Sequence, residues 1–205
     1  MTGLLMMSNS KCAVKPQCGR GFVGTRCEST LTMRSVIFLV LLLISSTSQS
    51  QVGVYQTLDS FLAENFNQTP SNETLWLNDE IRTELSSVLN RNYRGLRIRY
   101  WRDHERTAWI LNEIGKERPI TSGIVVERGK IVAISVLEYR ESRGGEVQLA
   151  SFRRQFIDAS LNNKGKLDHR IDGVTGATMS VRTLNRSAIA ALKLHSMALN
   201  KAEIQ

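Results

Sequence analysis

Residues 122–140 constrain the fold more than any other stretch. Two apolar-rich segments, 122–127 and 130–140, are separated only by Arg128-Gly129. Such a two-residue link ending in glycine is a tight hairpin signal. Val125, Val126, Ile131, Val132, Ile134, Val136 and Leu137 make this hairpin apolar enough for the centre of a sheet. Upstream, Leu96, Ile98 and Tyr100 alternate with Arg97, Arg99 and Trp101, which predicts a strand, and residues 107–114 predict another.

Helical signals flank this block. Leu58, Phe61, Leu62 and Phe66 share one side of a short helix over 57–66, broken by the polar run 67–72 with its Pro70. Asn78 caps a second helix bearing Ile81, Leu85, Val88 and Leu89 at helical spacing. Gly144-Gly145 ends the strand block, and residues 146–161 read as a helix with Leu149, Phe152 and Phe156 facing in. A closing helix over about 180–199 carries Leu184, Ala188, Ala191, Leu192 and Leu194. Clustered strands flanked by helices predict an α+β domain with a mostly antiparallel sheet.

The front of the chain reads differently. Met33-Arg34-Ser35 precedes nine apolar residues, 36–44, and then a serine-rich run with small residues at Ser48 and Ser50. A basic start, a short apolar run and small residues form a secretory signal peptide over 33–50, cut after Ser50. The run is too short to span a bilayer as a helix; its bland alternative is a buried strand or core helix. Residues 1–32 then precede a normal signal and read as a non-native upstream extension. They hold all three cysteines, Cys12, Cys18 and Cys27, an odd count that does not close a disulfide framework. The expected organisation is therefore 1–32 extension, 33–50 signal, 51–95 N-terminal helical segment and 96–205 main domain.

From residue 51 onward there is no cysteine, so thiol chemistry and thiolate metal sites are excluded there. His104, His169 and His195 are too dispersed to form a metal site. Half of the net charge of +8 lies upstream of residue 51. The remaining basic residues are scattered, as in 91–99, and read as a solvated strand face rather than a nucleic-acid surface, with an acidic partner or anionic lipid as the alternative.

One motif carries chemistry: Asp172-Gly173-Val174-Thr175-Gly176-Ala177-Thr178-Met179-Ser180. Gly173 and Gly176 permit positive φ and close backbone approach. Thr178 stands at the mouth of the closing helix, where free N–H groups and the macrodipole favour an anion. Composition alone leaves two readings, an anion site or a helix capped by Asp172 and Thr175.

The string resembles the D-G-x-(S/T)-G-A-T motif of the FMN-binding domain family, matching at Asp172, Gly173, Thr175, Gly176, Ala177 and Thr178. The resemblance implies a compact α/β domain in which the last threonine, here Thr178, carries FMN through a phosphoester. It implies an FAD-dependent flavin transferase as partner, reading Asp172 during loading. Thr175 and Ser180 offer hydroxyls to the phosphate. Glu141 and Ser142 resemble in kind a family loop beside the flavin, although Arg143 replaces its proline, and Thr121-Ser122-Gly123 offers an approach from the sheet. The chain is similar to the flavin-bearing subunits of sodium-pumping NADH:quinone reductases and related electron-transport complexes. It is thus expected to be a periplasmic or otherwise extracytoplasmic electron carrier, with membrane or periplasmic redox partners and possible membrane association. A secreted binding or sensor module of the same fold and a small flavin-dependent reductase are the alternatives.

Overall fold

The computed structural model describes residues 53–202. The expected upstream extension, the expected signal peptide with its apolar run and the three cysteines lie outside these residues. The elements are β1 (Gly53–Val54), α1 (Leu58–Asn65), β2 (Ser71–Trp76), α2 (Asp79–Leu89), β3 (Arg97–Asp103), β4 (Arg106–Ile114), β5 (Pro119–Glu127), β6 (Lys130–Tyr139), α3 (Ala150–Arg153) between two short 3₁₀ turns, and α4 (Thr178–Ala202). Six strands form one antiparallel sheet in the order β1-β6-β5-β4-β3-β2. This is the expected α+β class.

The central hairpin forms as its sequence predicts. Arg128 and Gly129 both take positive φ, 51° and 73°, which suits the right-handed twist of the flanking strands. Two register shifts, between Thr121 and Ser122 and between Val125 and Val126, interrupt the pairing of β5 with β6. At the first, the Leu137 carbonyl takes the N–H of Tyr55 at 2.9 Å, next to β1.

Each face of the sheet has its own helical cover. Phe61, Leu62 and Phe66 of the α1 region pack on Ala108, Val125 and Leu137. Gly123 makes room for this contact, since a Cβ there would lie 2.8 Å from the Phe61 ring. The opposite face carries the larger core, in which Trp109, Ile120, Ile124 and Ile131 meet Leu184, Ala188, Ala191 and Leu194 of α4. The alanines have little bulk, so the helix lies close to the sheet. Asn78 caps α2 as expected, accepting from Ile81 N at 2.8 Å, and Thr57 caps α1. Removing such a cap costs about 1 kcal/mol.

Three expectations need correction. The segment before residue 96 supplies not only helices but two edge strands, β1 and β2. Residues 146–161 do not form one helix: α3 covers four residues, and Leu149 is exposed. Arg153 explains the break, because it donates to Gln148 O, Ile134 O and Ser135 Oγ and so anchors the segment to β6. Leu96 precedes β3 and is exposed, whereas Ile98 and Tyr100 are buried as expected.

His195 locks the far part of α4 under the hairpin. Its Nε2 accepts from Gly129 N at 3.3 Å, so Nδ1–H donates to Thr107 Oγ1 at 2.8 Å. Thr107 also accepts from Trp109 Nε1. Burial, helped by Arg102, pushes the imidazole pKa down to about 4 from 6.5. A ring kept neutral in the fold and free to charge when unfolded adds stability above pH 6.5 that is lost as pH falls toward 4. Urea unfolding across that window should show this loss, approaching about tenfold in the folding constant per pH unit. His195→Gln should flatten it; an unchanged pH profile would contradict the arrangement.

Candidate functional site

The motif becomes a turn followed by a helix. Ala177 N donates to Val174 O at 3.0 Å, closing a turn in which Gly176 has φ +83°. Val181 N then donates to Ala177 O, so Ala177 is the helix cap and Thr178 the first helical residue. Ala177 is buried while Thr178 is exposed. Neither Asp172 nor Thr175 caps the helix by a side-chain bond among the described residues, which weakens the purely structural reading of the motif. The N–H groups of the first turn therefore remain directed to the space before the helix. Gly173 departs from expectation: its φ lies outside the positive region, and open space surrounds it.

Thr178 lies in a cleft of about 580 Å³, lined also by Lys116, Glu117, Glu141, Ser142, Arg143, Gly176, Ala177, Met179 and Ser180. An adjoining cleft shares Ser142, Arg143 and Gly176 and adds Thr175. The structure thus brings Thr178, Gly176, Ala177, Glu141 and Ser142 together, with Thr175 next door. Asp172 and Gly173 lie outside both clefts. Asp172 is exposed, and its backbone N–H is held by Gln155 Oε1 at 2.7 Å.

Three ties fix the walls. Glu141 Oε1 accepts from the backbone N–H groups of Lys116, Glu117 and Arg118 at 2.6, 2.7 and 3.0 Å. Gly115 must lack a side chain for this, because a Cβ would stand 2.7 Å from that oxygen. The Ile114 carbonyl accepts from Thr183 Oγ1 and Arg186 Nη2, joining the end of β4 to α4. Tyr139 Oη donates to Arg143 O at 2.5 Å and accepts from Ser180 Oγ at 2.9 Å. Gly144, at φ +87°, fits beneath: a Cβ would meet Ser180 Oγ and Tyr139 Oη, each at 2.9 Å.

These bonds sharpen several roles. Ser180 spends its proton on Tyr139, so it does not donate to a phosphate as expected. One Glu141 oxygen is committed to the turn 115–118. Of the sheet residues expected to approach a flavin, Gly123 faces Phe61, Ser122 is buried, and Thr121 Oγ1 accepts from Arg140. None of them lines the Thr178 cleft. Lys116 and Gly115 had no motif to announce them, although a glycine preceding Lys-Glu-Arg marks a turn.

The electrostatics are mixed. Lys116 and Arg143 add positive charge at the cleft, with Lys116 3.3 Å from Glu117. Partial burial works to raise the Glu141 pKa, but the three backbone N–H groups and nearby Lys116 outweigh it and hold the carboxyl below 4.5. His169 reinforces the approach to the motif. Both ring nitrogens face acceptors, Asp168 Oδ1 and Gln155 O, each at 2.7 Å, and these raise its pKa. No group of three or more metal-ligating side chains occurs among the described residues.

Residues 115–193 match the family model of the FMN-binding domain. The chain carries an FMN-binding domain. The match begins at Gly115 and takes in every residue that lines the Thr178 cleft. No curated relative matches the chain.

Because Glu141 is held in its charged form, its contribution to stability is present above pH 4.5 and is lost as pH falls through its lowered value. Glu141→Gln should lower the urea midpoint at pH 7, and the gap to the wild type should close as pH falls below 4.5 through the lowered Glu141 value. A gap that stays constant with pH would mean that the charge on Glu141 does not hold the turn.

Proposed function

We propose that this chain is an exported flavoprotein that carries FMN covalently on Thr178 and passes electrons outside the cytoplasmic membrane. The observation that carries this reading is the placement of an exposed threonine hydroxyl at the first residue of α4, inside a cleft of an FMN-binding domain. Thr178 Oγ1 has no hydrogen-bond partner among the described residues, so the nucleophile is uncommitted.

The chemistry balances with FAD as donor. Thr178 Oγ1 attacks the FMN-side phosphorus, a P–O bond forms, the pyrophosphate P–O bond breaks, AMP leaves and the hydroxyl proton is lost. We assign catalysis of that step to a separate flavin transferase. Asp172 stands exposed and outside the cleft, a position suited to being read by the transferase during loading. It would contribute only repulsion as a phosphate ligand.

A phosphate carried on Thr178 would stand at the N-terminus of α4, where the first-turn N–H groups and the macrodipole would favour its charge. Lys116 and Arg143 add to that field. Glu141 holds the turn 115–118 in place, and Tyr139 holds the Arg143–Gly144 loop against α4. FMN itself supplies the redox chemistry, with the protein providing position and electrostatics. A covalent tether suits an extracytoplasmic site, where a dissociated flavin is lost by dilution. The partners are then membrane or periplasmic redox proteins. No helix of the described residues is long and apolar enough to cross a membrane.

Co-expression with a flavin transferase tests the loading. Wild type and Thr175→Ala should give a fluorescent band after denaturation, Thr178→Ala none, and Asp172→Asn a strongly reduced one with unchanged circular dichroism. Fluorescence retained in Thr178→Ala would refute the assignment.

A further inference from the structure

A second opening lies within the sheet itself. β3 and β4 pair from Asp103↔Arg106 to Tyr100↔Trp109 and then stop, although β3 begins at Arg97 and β4 runs on to Ile114. Beyond the last pair, a cavity of about 510 Å³ lies between Arg97, Ile98 and Arg99 on one strand and Ile110, Leu111 and Asn112 on the other. The remaining neighbours are intact: β2 pairs with β3 through Trp76↔Arg97, and β4 pairs with β5 through Ile114↔Pro119. The slot is therefore a local parting of two internal strands, and it leaves backbone groups on both sides without ladder partners.

Charge marks what fits it. Arg97 and Arg99 are exposed, and among the described residues neither has an acidic partner; Arg97 lies over the Trp76 ring at 6.0 Å. The slot's own acid, Glu113, is buried and already neutralised by Arg91, through Nε at 3.0 Å and Nη2 at 2.6 Å. Burial of Glu113 is thus satisfied internally, while the two arginines at the mouth are not.

We infer that the slot between β3 and β4 receives an extended acidic segment of another protein, which takes strand-like hydrogen bonds from Arg97–Arg99 and Ile110–Asn112 while its carboxylates meet Arg97 and Arg99. Unpaired strand edges template just such an addition, and guanidinium forks favour carboxylates. A bilayer fits less well, because lipid tails leave backbone N–H and C=O groups unsatisfied and attachment to anionic lipid takes clusters of about four to eight basic residues. β4 leads from the slot directly into the turn 115–118 that lines the Thr178 cleft.

The test uses the full-length chain and a short fluorescein-labelled peptide of alternating glutamate and valine, followed by anisotropy. Arg97→Glu with Arg99→Glu should weaken binding at least about tenfold, and the equal charge change Lys164→Glu with Lys166→Glu, in a remote exposed loop, less than about twofold. The same peptide N-methylated at alternate backbone nitrogens should lose binding, and hydrogen exchange should show new protection at residues 97–99 and 110–112. Absence of binding, equal loss in both double variants, full binding of the N-methylated peptide or protection elsewhere would each overturn the inference. So would arginine-dependent binding to phosphatidylserine vesicles without binding to the peptide.

Discussion

The site depends on one carboxylate oxygen. Glu141 Oε1 gathers three consecutive backbone N–H groups of the turn 115–118 and so fixes the end of β6 to the connection between β4 and β5. Without it, those three donors would need other partners, and the wall of the Thr178 cleft would have no fixed position. The glycine at 115 is the local condition for this bond. The bonds from Thr183 and Arg186 to Ile114 O and the Tyr139–Ser180 pair then bring the start of α4 to the same place.

This arrangement explains how a simple meander acquires a cleft beside Thr178. The sheet and the two opposed cores make a rigid platform, and of their residues only Ala177 lines the cleft. The cleft is built from what lies past the strand ends: a turn, a loop held by tyrosine and the first residues of a long helix. Rigid elements support a site on connecting segments, which leaves the hydroxyl of Thr178 exposed while its neighbours Ala177 and Ser180 are buried. The acid of the motif stands apart from the cleft, in keeping with a task performed before the cofactor is in place.

Much of this was legible from local pattern, and the limits have physical causes. The β5–β6 hairpin could be read because Arg128-Gly129 and the apolar runs specify turn and strands together. The cap at Asn78 was legible because its chemistry is local. β2 was not, since Ser71-Asn-Glu-Thr is polar and becomes a strand only by pairing with β3 at the sheet edge. Phe152 and Phe156 imitate helical spacing, yet the tertiary bonds of Arg153 to β6 override that periodicity. The place of Thr178 at the start of α4 was legible because the motif is contiguous. The work of Glu141 was not, because its partners lie 23 to 25 residues away in the chain.

The central claim is that the FMN-binding domain holds its flavin on Thr178. Tandem mass spectrometry of the transferase-treated protein tests it most directly, because cleavage after Arg170 and Arg182 isolates residues 171–182 with the whole motif. The account predicts fragment ions that place the FMN mass on Thr178 and leave Thr175 and Ser180 unmodified. An adduct on either of those residues, or a flavin that is released intact on denaturation, would contradict it.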